Sequence, residues 1–167
     1  MGEYMVDKAA LKDRARDLSR YEKIVLSILR YRDSKVTSLQ KLGLLIAAIF
    51  RGNVPEGFSA YYFGGFSDDI ADSIEILEDE GYLKTAPDKH LKLTEDGVAL
   101  VNDFMNDAES KRIIDISAHI AGGMQRLSEN EILAIIYLMF PELTSKSLIK
   151  NRIGKIRHAK NVEVYDL

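Results

Sequence analysis

Asp68, Asp72, Glu75 and Asp79 recur at spacings of four, three and four, so a helix carrying them presents all four carboxylates on one exposed face. Proton-transfer chemistry needs a carboxyl held apart in a cleft, and a solvated row does not provide one. An acidic face of this kind is most often simply solvated. Its functional alternative is a docking surface for a basic partner. The opposite charge gathers in two other places. Lys84, Lys89, His90 and Lys92 lie around a short polar turn, and Lys146, Lys150, Arg152, Lys155, Arg157 and Lys160 follow one another with no acid between them. Clustered cations of this type grip phosphates or an acidic surface, although a solvated basic end balancing an acidic middle is the commoner reading.

Other chemistries find little support. His90, His119 and His158 are far apart and sit in no metal-ligand spacing, so no metal is expected. Gly64-Gly65 and Gly122-Gly123 lack the spacing and neighbours of a nucleotide-binding loop. The chain has no cysteine, which removes thiol nucleophiles, thiolate metal sites and disulfides and suits a reducing compartment. No Gly-x-Ser-x-Gly elbow occurs. The expectation is a protein that is not an enzyme and has no cofactor. Phe58, Tyr61, Tyr62, Phe63 and Phe66 flank Gly64-Gly65. Such a cluster can stack bases or line a small pocket, but more often roofs a core.

The elements that would position these groups follow from periodicity. Asp7 to Arg32 alternates charged and apolar residues at helical spacing, with Ile24, Leu26, Ile28 and Leu29 as its inward members, so one helix with a lead-in is expected. Thr37 and Gln40 form a capping-box pattern before a helix over residues 38–50. Residues 51–66 hold Gly52, Pro55, Gly57, Gly64 and Gly65, which forbid a long regular helix and make a connection much longer than the about three or four residues of a tight helix-turn-helix, so that motif is expected only as a variant. Ser67 is read as the N-cap of the acidic helix, whose Ile70, Ile74 and Leu77 form the inward stripe and whose stop is Gly81.

Residues 82–85 and 90–93 alternate as half-buried strands around Pro87-Asp88. Thr94 caps a helix to about Asn106, lined by Val98, Val101 and Met105 with Leu100 and Phe104 beside them. A helix from about Ser110 stops near Gly122-Gly123, and Ser128 with Glu131 makes a second capping box before EILAIIYLMF, which Pro141 closes. The segment after Thr144 reads as helix interrupted by Gly154, with a terminal strand over 162–165.

A helix followed directly by a two-stranded hairpin is the core of a winged helix-turn-helix, in which the exposed face of the second helix meets the major groove. Here that face is acidic. Carboxylates repel phosphates and offer bases little beyond an acceptor for cytosine, so groove reading is the least favoured role. The expected fold class is mainly α with a small β-hairpin wing, a winged helix-turn-helix plus a C-terminal helical extension. A winged domain over 1–108 and an extension over 109–167 divide the chain.

GYLKTAPDKHLKLTEDGVALV, Gly81 to Val101, resembles the end of the winged-helix domain in MarR-like and PadR-like regulators: a helix stop, two wing strands and a helix begun by Leu-Thr-Glu-x-Gly. A closer resemblance is to YwgA-like prokaryotic proteins. It is carried by Gln40-Lys41-Leu42, by Tyr62-Phe63-Gly64-Gly65-Phe66-Ser67, where Gly65 replaces a proline, and by Leu127 to Ser147. The resemblance implies a fold and a regulatory role, with no catalytic residues to carry over.

With 167 residues, 46% of them hydrophobic and 29% charged, the chain has the make-up of a folded globular protein. A net charge of −3 argues against wholesale coating of nucleic acid. LGLLIAAIF, Leu42 to Phe50, is too short to span a bilayer, and the first twenty residues lack the order of a secretory signal, so no membrane and a cytoplasmic location are expected. Two functions follow as expectations. One is a transcriptional regulator, a homodimer, touching DNA through the wing and the basic C-terminal segment. The other is an antitoxin-like or assembly module that docks a basic protein on the acidic helix.

Overall fold

In a computed structural model, residues 7–51, 58–61, 64–104 and 106–144 are described, and they are mainly α with small β-hairpins. The expected long first helix is two helices. α1 (Lys8–Asp17) is capped by Asp7, which accepts a hydrogen bond from Ala9 N at 3.0 Å, and α2 (Arg20–Tyr31) starts afresh after Leu18. The break is made by Ser19. Its Oγ accepts from Glu22 N at 3.2 Å while Glu22 Oε2 accepts from Ser19 N at 2.7 Å, a capping box hidden inside the continuous charged-apolar alternation. Ile24, Val25, Leu26, Ile28 and Leu29 bury most of the girth of α2, because α3, α4, α5 and α6 all pack on it.

α3 (Val36–Arg51) begins two residues before the expected start, and the Thr37–Gln40 capping box does not form. Thr37 Oγ1 instead donates to Glu129, 3.0 and 3.1 Å away, and Gln40 turns into the core. Two strands follow where sequence gave only irregular chain: β1 (Phe58–Tyr61) and β2 (Gly64–Ser67) pair antiparallel, Phe58 opposite Ser67 and Tyr61 opposite Gly64. α4 (Asp68–Asp79) leaves β2 directly and buries Ile70, Ile74 and Leu77 as the stripe requires. Gly81 ends it at φ +81°, a conformation that costs a side chain dearly and glycine nothing.

β3 (Leu83–Thr85) and β4 (Leu91–Leu93) form the expected hairpin, with Lys84 directly opposite Lys92. Ser34, between α2 and α3, bridges to Leu91 through Leu91 N to Ser34 O at 2.9 Å and Ser34 N to Leu91 O at 3.3 Å. The hairpin is thereby tied to the start of the helical core. Thr94 Oγ1 donates to Gly81 O at 2.7 Å and accepts from Gly97 N at 3.1 Å, capping α5 (Glu95–Phe104) as expected. α5 does differ on one point: Val98 is exposed, and Leu100, Val101 and Phe104 make the buried face, while Met105 lies outside the described residues.

α6 (Ala108–Ser117), capped by Asp107, runs into a π-helical turn over Ala118–Gly122 and packs on α2. α7 (Glu129–Met139) packs on α3 and starts with the expected capping box, Glu131 N to Ser128 Oγ at 3.3 Å and Ser128 N to Glu131 Oε2 at 2.8 Å. A 3-10 turn over Pro141–Thr144 follows. The helix and strand expected after Thr144 lie outside the described residues. One core cluster joins buried residues from Leu11 to Leu143. Among the described residues no helix is long and apolar enough to cross a membrane.

Candidate functional site

The acidic face is built from its N-terminal end. Ser67 was expected to cap α4 through its hydroxyl, yet that hydroxyl makes no capping bond, and Ser67 is fully buried. Its backbone is held by one side chain: Gln40 Nε2 donates to Ser67 O and Ser67 N donates to Gln40 Oε1, both at 2.9 Å. A buried primary amide satisfies two backbone groups with no charge to desolvate, which fixes where α4 begins. From there Asp68, Asp72, Glu75 and Asp79 are all exposed on one face, as expected, and no ion pair joins any of them to another described residue. Ile76, 45% exposed, stands beside them.

Two further acids at the end of α4 are drawn into the fold. Glu78 accepts from Thr85 of β3, and Glu80 Oε2 lies 2.7 Å from Arg14 Nε. Arg14 also pairs with Glu22 of the first capping box, so α1, α2 and the end of α4 meet at one guanidinium. Burial works against both charges there. The Arg14 bond and the Ser19 cap outweigh it at Glu22 and hold that carboxyl below the usual range; bonds to Glu22 and Glu80 outweigh it at Arg14 and raise its pKa.

On the wing, Lys84 and Lys89 are exposed, and Lys89 sits at the turn with φ 65°. Lys92 is half-buried and its Nζ lies 3.2 Å from Asp33. His90 Nδ1 lies 3.0 Å from Asp88, whose carboxyl is pushed below its ordinary range first by the His90 backbone N–H and then by the imidazole and Lys92. Two of the four basic residues of the wing thus have an acid beside them, and Lys84 and Lys89 are those that project. Lys146, Lys150, Arg152, Lys155, Arg157 and Lys160 lie outside the described residues.

Of the loop aromatics, Phe58 is half-buried on the core, its ring tilted against Tyr21 with centroids 6.2 Å apart. Tyr62 and Phe63 lie outside the described residues. His119 Nδ1 is 2.7 Å from Asp115 O, and the described residues contain no group of three or more His, Asp or Glu able to hold a metal ion. A shallow groove of about 890 Å³ runs between α1 and α5, lined by Leu11 and Ala99 with Asp7, Lys8, Lys12, Asn102 and Asp103 of both signs.

The chain matches no protein-family profile, no curated protein and no solved structure.

One polar cluster was not foreseen. Lys41 is 4% exposed, and its Nζ lies 3.3 Å from Glu129 at the first turn of α7, where Ser38 Oγ also donates at 2.9 Å. Burial pushes the Lys41 ammonium below the ordinary lysine range, offset in part by Glu129. At Glu129 burial is overcome by Lys41, Ser38 and Thr37, which lower the carboxyl. The cluster clamps α7 onto α3. Its signal in the sequence is a lysine inside an apolar helical run, where a cation has no reason to stand without a partner.

Proposed function

We propose that this chain is a winged-helix regulatory protein that contacts DNA through the β3–β4 wing and the basic segment at 146–160, with α4 held off the groove. The observation that supports this reading is topological: α2, the Ser34 bridge, α3, α4 and a hairpin follow in the order of a winged helix, with the β1–β2 pair inserted between α3 and α4, and the hairpin projects Lys84 and Lys89. Two exposed cations on a rigid ribbon suit phosphates, while the α4 carboxylates disfavour insertion of that helix. Self-association as a homodimer belongs to the same proposal.

Fluorescence anisotropy on mixed-sequence duplex DNA, titrated with salt and with oligomeric mass recorded on the same sample, tests it. Lys84→Glu with Lys89→Glu should weaken binding at least tenfold near 50 mM salt and reduce the salt slope by about 2. Unchanged affinity overturns the wing contact.

A second reading is supported by the α4 carboxylates beside Ile76, which form no ion pair among the described residues: α4 docks a basic protein instead of DNA. A basic amphipathic peptide should then bind the wild type. Asp72→Lys, Glu75→Lys and Asp79→Lys together should abolish that binding with the fold intact, and persistence of binding counts against it.

A further inference from the structure

The seam between α1 and α5 is concave beyond the groove over Leu11 and Ala99. That groove, of about 890 Å³, is continued by a depression of about 490 Å³ lined by Ala15, Arg16, Lys23, Phe104, Asn106 and Asp107, and Lys12 and Asp103 line both. The two halves differ in character. The wall of the first is mainly apolar, with Leu11 buried beneath it and Ala99 half-buried, whereas the wall of the second is as polar as it is apolar. One continuous trough thus has an apolar end and a polar end, with Lys12 at the junction.

The charge of the polar end is uneven once each acid is followed to its partner. Asp107 caps α6, accepting from Ser110 N at 2.9 Å, and Asp7, at the far end of the trough, caps α1 through Ala9 N at 3.0 Å. A carboxylate in that position is offset by the helix N-terminus it serves. Asp103 is the lining acid that no cap engages, and Lys12, Arg16 and Lys23 stand against it. Lys12 is exposed and has no ion pair among the described residues, and Arg16 has only an exposed contact with Asp13, 3.3 Å away. Lys23 is the most telling of the three. Its side chain is 15% exposed, yet Asp107 lies 3.8 Å from its Nζ, beyond hydrogen-bond reach. A largely desolvated ammonium short of an acceptor is costly, and an anion seated in the depression supplies one.

We propose that the trough binds an anionic amphiphile, a carboxylate or phosphate head carried on an alkyl chain. The head meets Lys12, Arg16 and Lys23, and the chain lies over Leu11 and Ala99 along the methylene stem of Lys8. A bare anion leaves the apolar half unused, and an uncharged hydrocarbon leaves Lys23 without its acceptor. The site uses neither the wing nor α4, so it stands or falls apart from the DNA reading.

The isotope-labelled full chain is titrated, below the micelle concentration of each probe, with decanoate, decyl phosphate, decyltrimethylammonium and inorganic phosphate, and the backbone amide shifts are followed. The expected result is saturable shifts confined to α1, α5 and the start of α6 with decanoate or decyl phosphate. The tighter of these two names the head group, and it should bind about tenfold more tightly than either decyltrimethylammonium or inorganic phosphate. Lys12→Glu changes an exposed side chain that no ion pair holds, so the amides of α7 should keep their positions while the preference reverses toward decyltrimethylammonium. Inorganic phosphate binding as tightly as decyl phosphate overturns the role of the apolar half. Equal affinity for the cationic and anionic amphiphiles, or a preference that Lys12→Glu leaves unchanged, overturns the role of the cations. Shifts that are absent, or scattered over the surface without saturating, overturn the site.

Discussion

The two hairpins that bracket α4 are fastened by different chemistry. β1–β2 enters the helix through a buried, neutral lock, the Gln40 amide closed on both backbone groups of Ser67. β3–β4 leaves it through several fittings, two of them ion pairs, Arg14–Glu80 and Lys92–Asp33, and two of them neutral, the Thr94 hydroxyl on Gly81 and the buried Ser34–Leu91 bridge. At the entrance a single side chain decides the geometry, and no change of pH can loosen it. At the exit several small bonds share the task, and two of them are ion pairs. The acidic face between them is thus held by one buried neutral lock at one end and by several bonds, two of them charged, at the other.

The strongest way to break this comparison is at the exit, where α5 presses its backbone on the wing. A Cβ built on Gly97 would stand 2.1 Å from the Tyr82 carbonyl oxygen, a contact that backbone must move to relieve. Gly97→Val is expected to cost about 3 kcal/mol or more, read as a lowered urea midpoint at constant slope. A loss below about 1 kcal/mol would show that the wing floats on α5 and is not seated there.

Next in size is the entrance. Gln40→Ala strips partners from two buried backbone groups and should cost about 2–3 kcal/mol, equally at pH 4 and pH 7, because nothing in the lock ionises. A strong dependence on pH in this variant would remove the contrast between the two ends.

The smallest effect sharpens the comparison. Glu22 has its folded pKa lowered, so its stabilisation is complete above the unfolded glutamate value of about 4.3 and is lost as pH falls through the lower folded value. Glu22→Gln should therefore be less stable than the parent at neutral pH and lose less stability on acidification below about pH 4.3. The flattening is partial, since Glu129, Asp88 and Asp107 are also lowered and titrate on the same limb. Parallel stability–pH curves would mean that Arg14 does not hold Glu22.

What the sequence made legible follows the same division. α4, its inward stripe, Gly81, the wing strands and the Ser128–Glu131 box were all readable, because each is set by residues a few positions apart: a glycine stop, an alternation of two, a helical repeat. The Ser19–Glu22 box had an equally local signature, but the alternation running through it masked the break. Thr37 and Gln40 misled because their partners lie far along the chain. Once Glu129 and Ser67 compete for those side chains, the local cap loses. β1–β2 went unseen since Phe-Ser-Ala-Tyr and Gly-Gly-Phe-Ser have no clean alternation, and only the core beneath makes them strands. For the candidate site, the exposure of Asp68, Asp72, Glu75 and Asp79 was readable from spacing alone. That Lys92 and His90 have acids beside them was not, because Asp33 and α2 come to the wing through the tertiary fold, and Asp88 meets His90 only as the turn closes.

The guanidinium of Arg32 donates to the Met124 carbonyl at 2.8 Å across 92 residues of chain, and Gln125 Nε2 returns the tie to Tyr31 O at 2.6 Å. During synthesis, α2 leaves the ribosome long before these partners exist. At ordinary elongation rates, on the order of 5–20 s separates the two events. Throughout that interval the side of α2 that α6 later covers has nothing to cover it, and the nascent chain carries a hydrophobic helix that a chaperone can recognise. The same ties set the order of assembly: the acidic helix and its wing can form early, and the scaffold beneath them closes only when residues 108–139 have arrived.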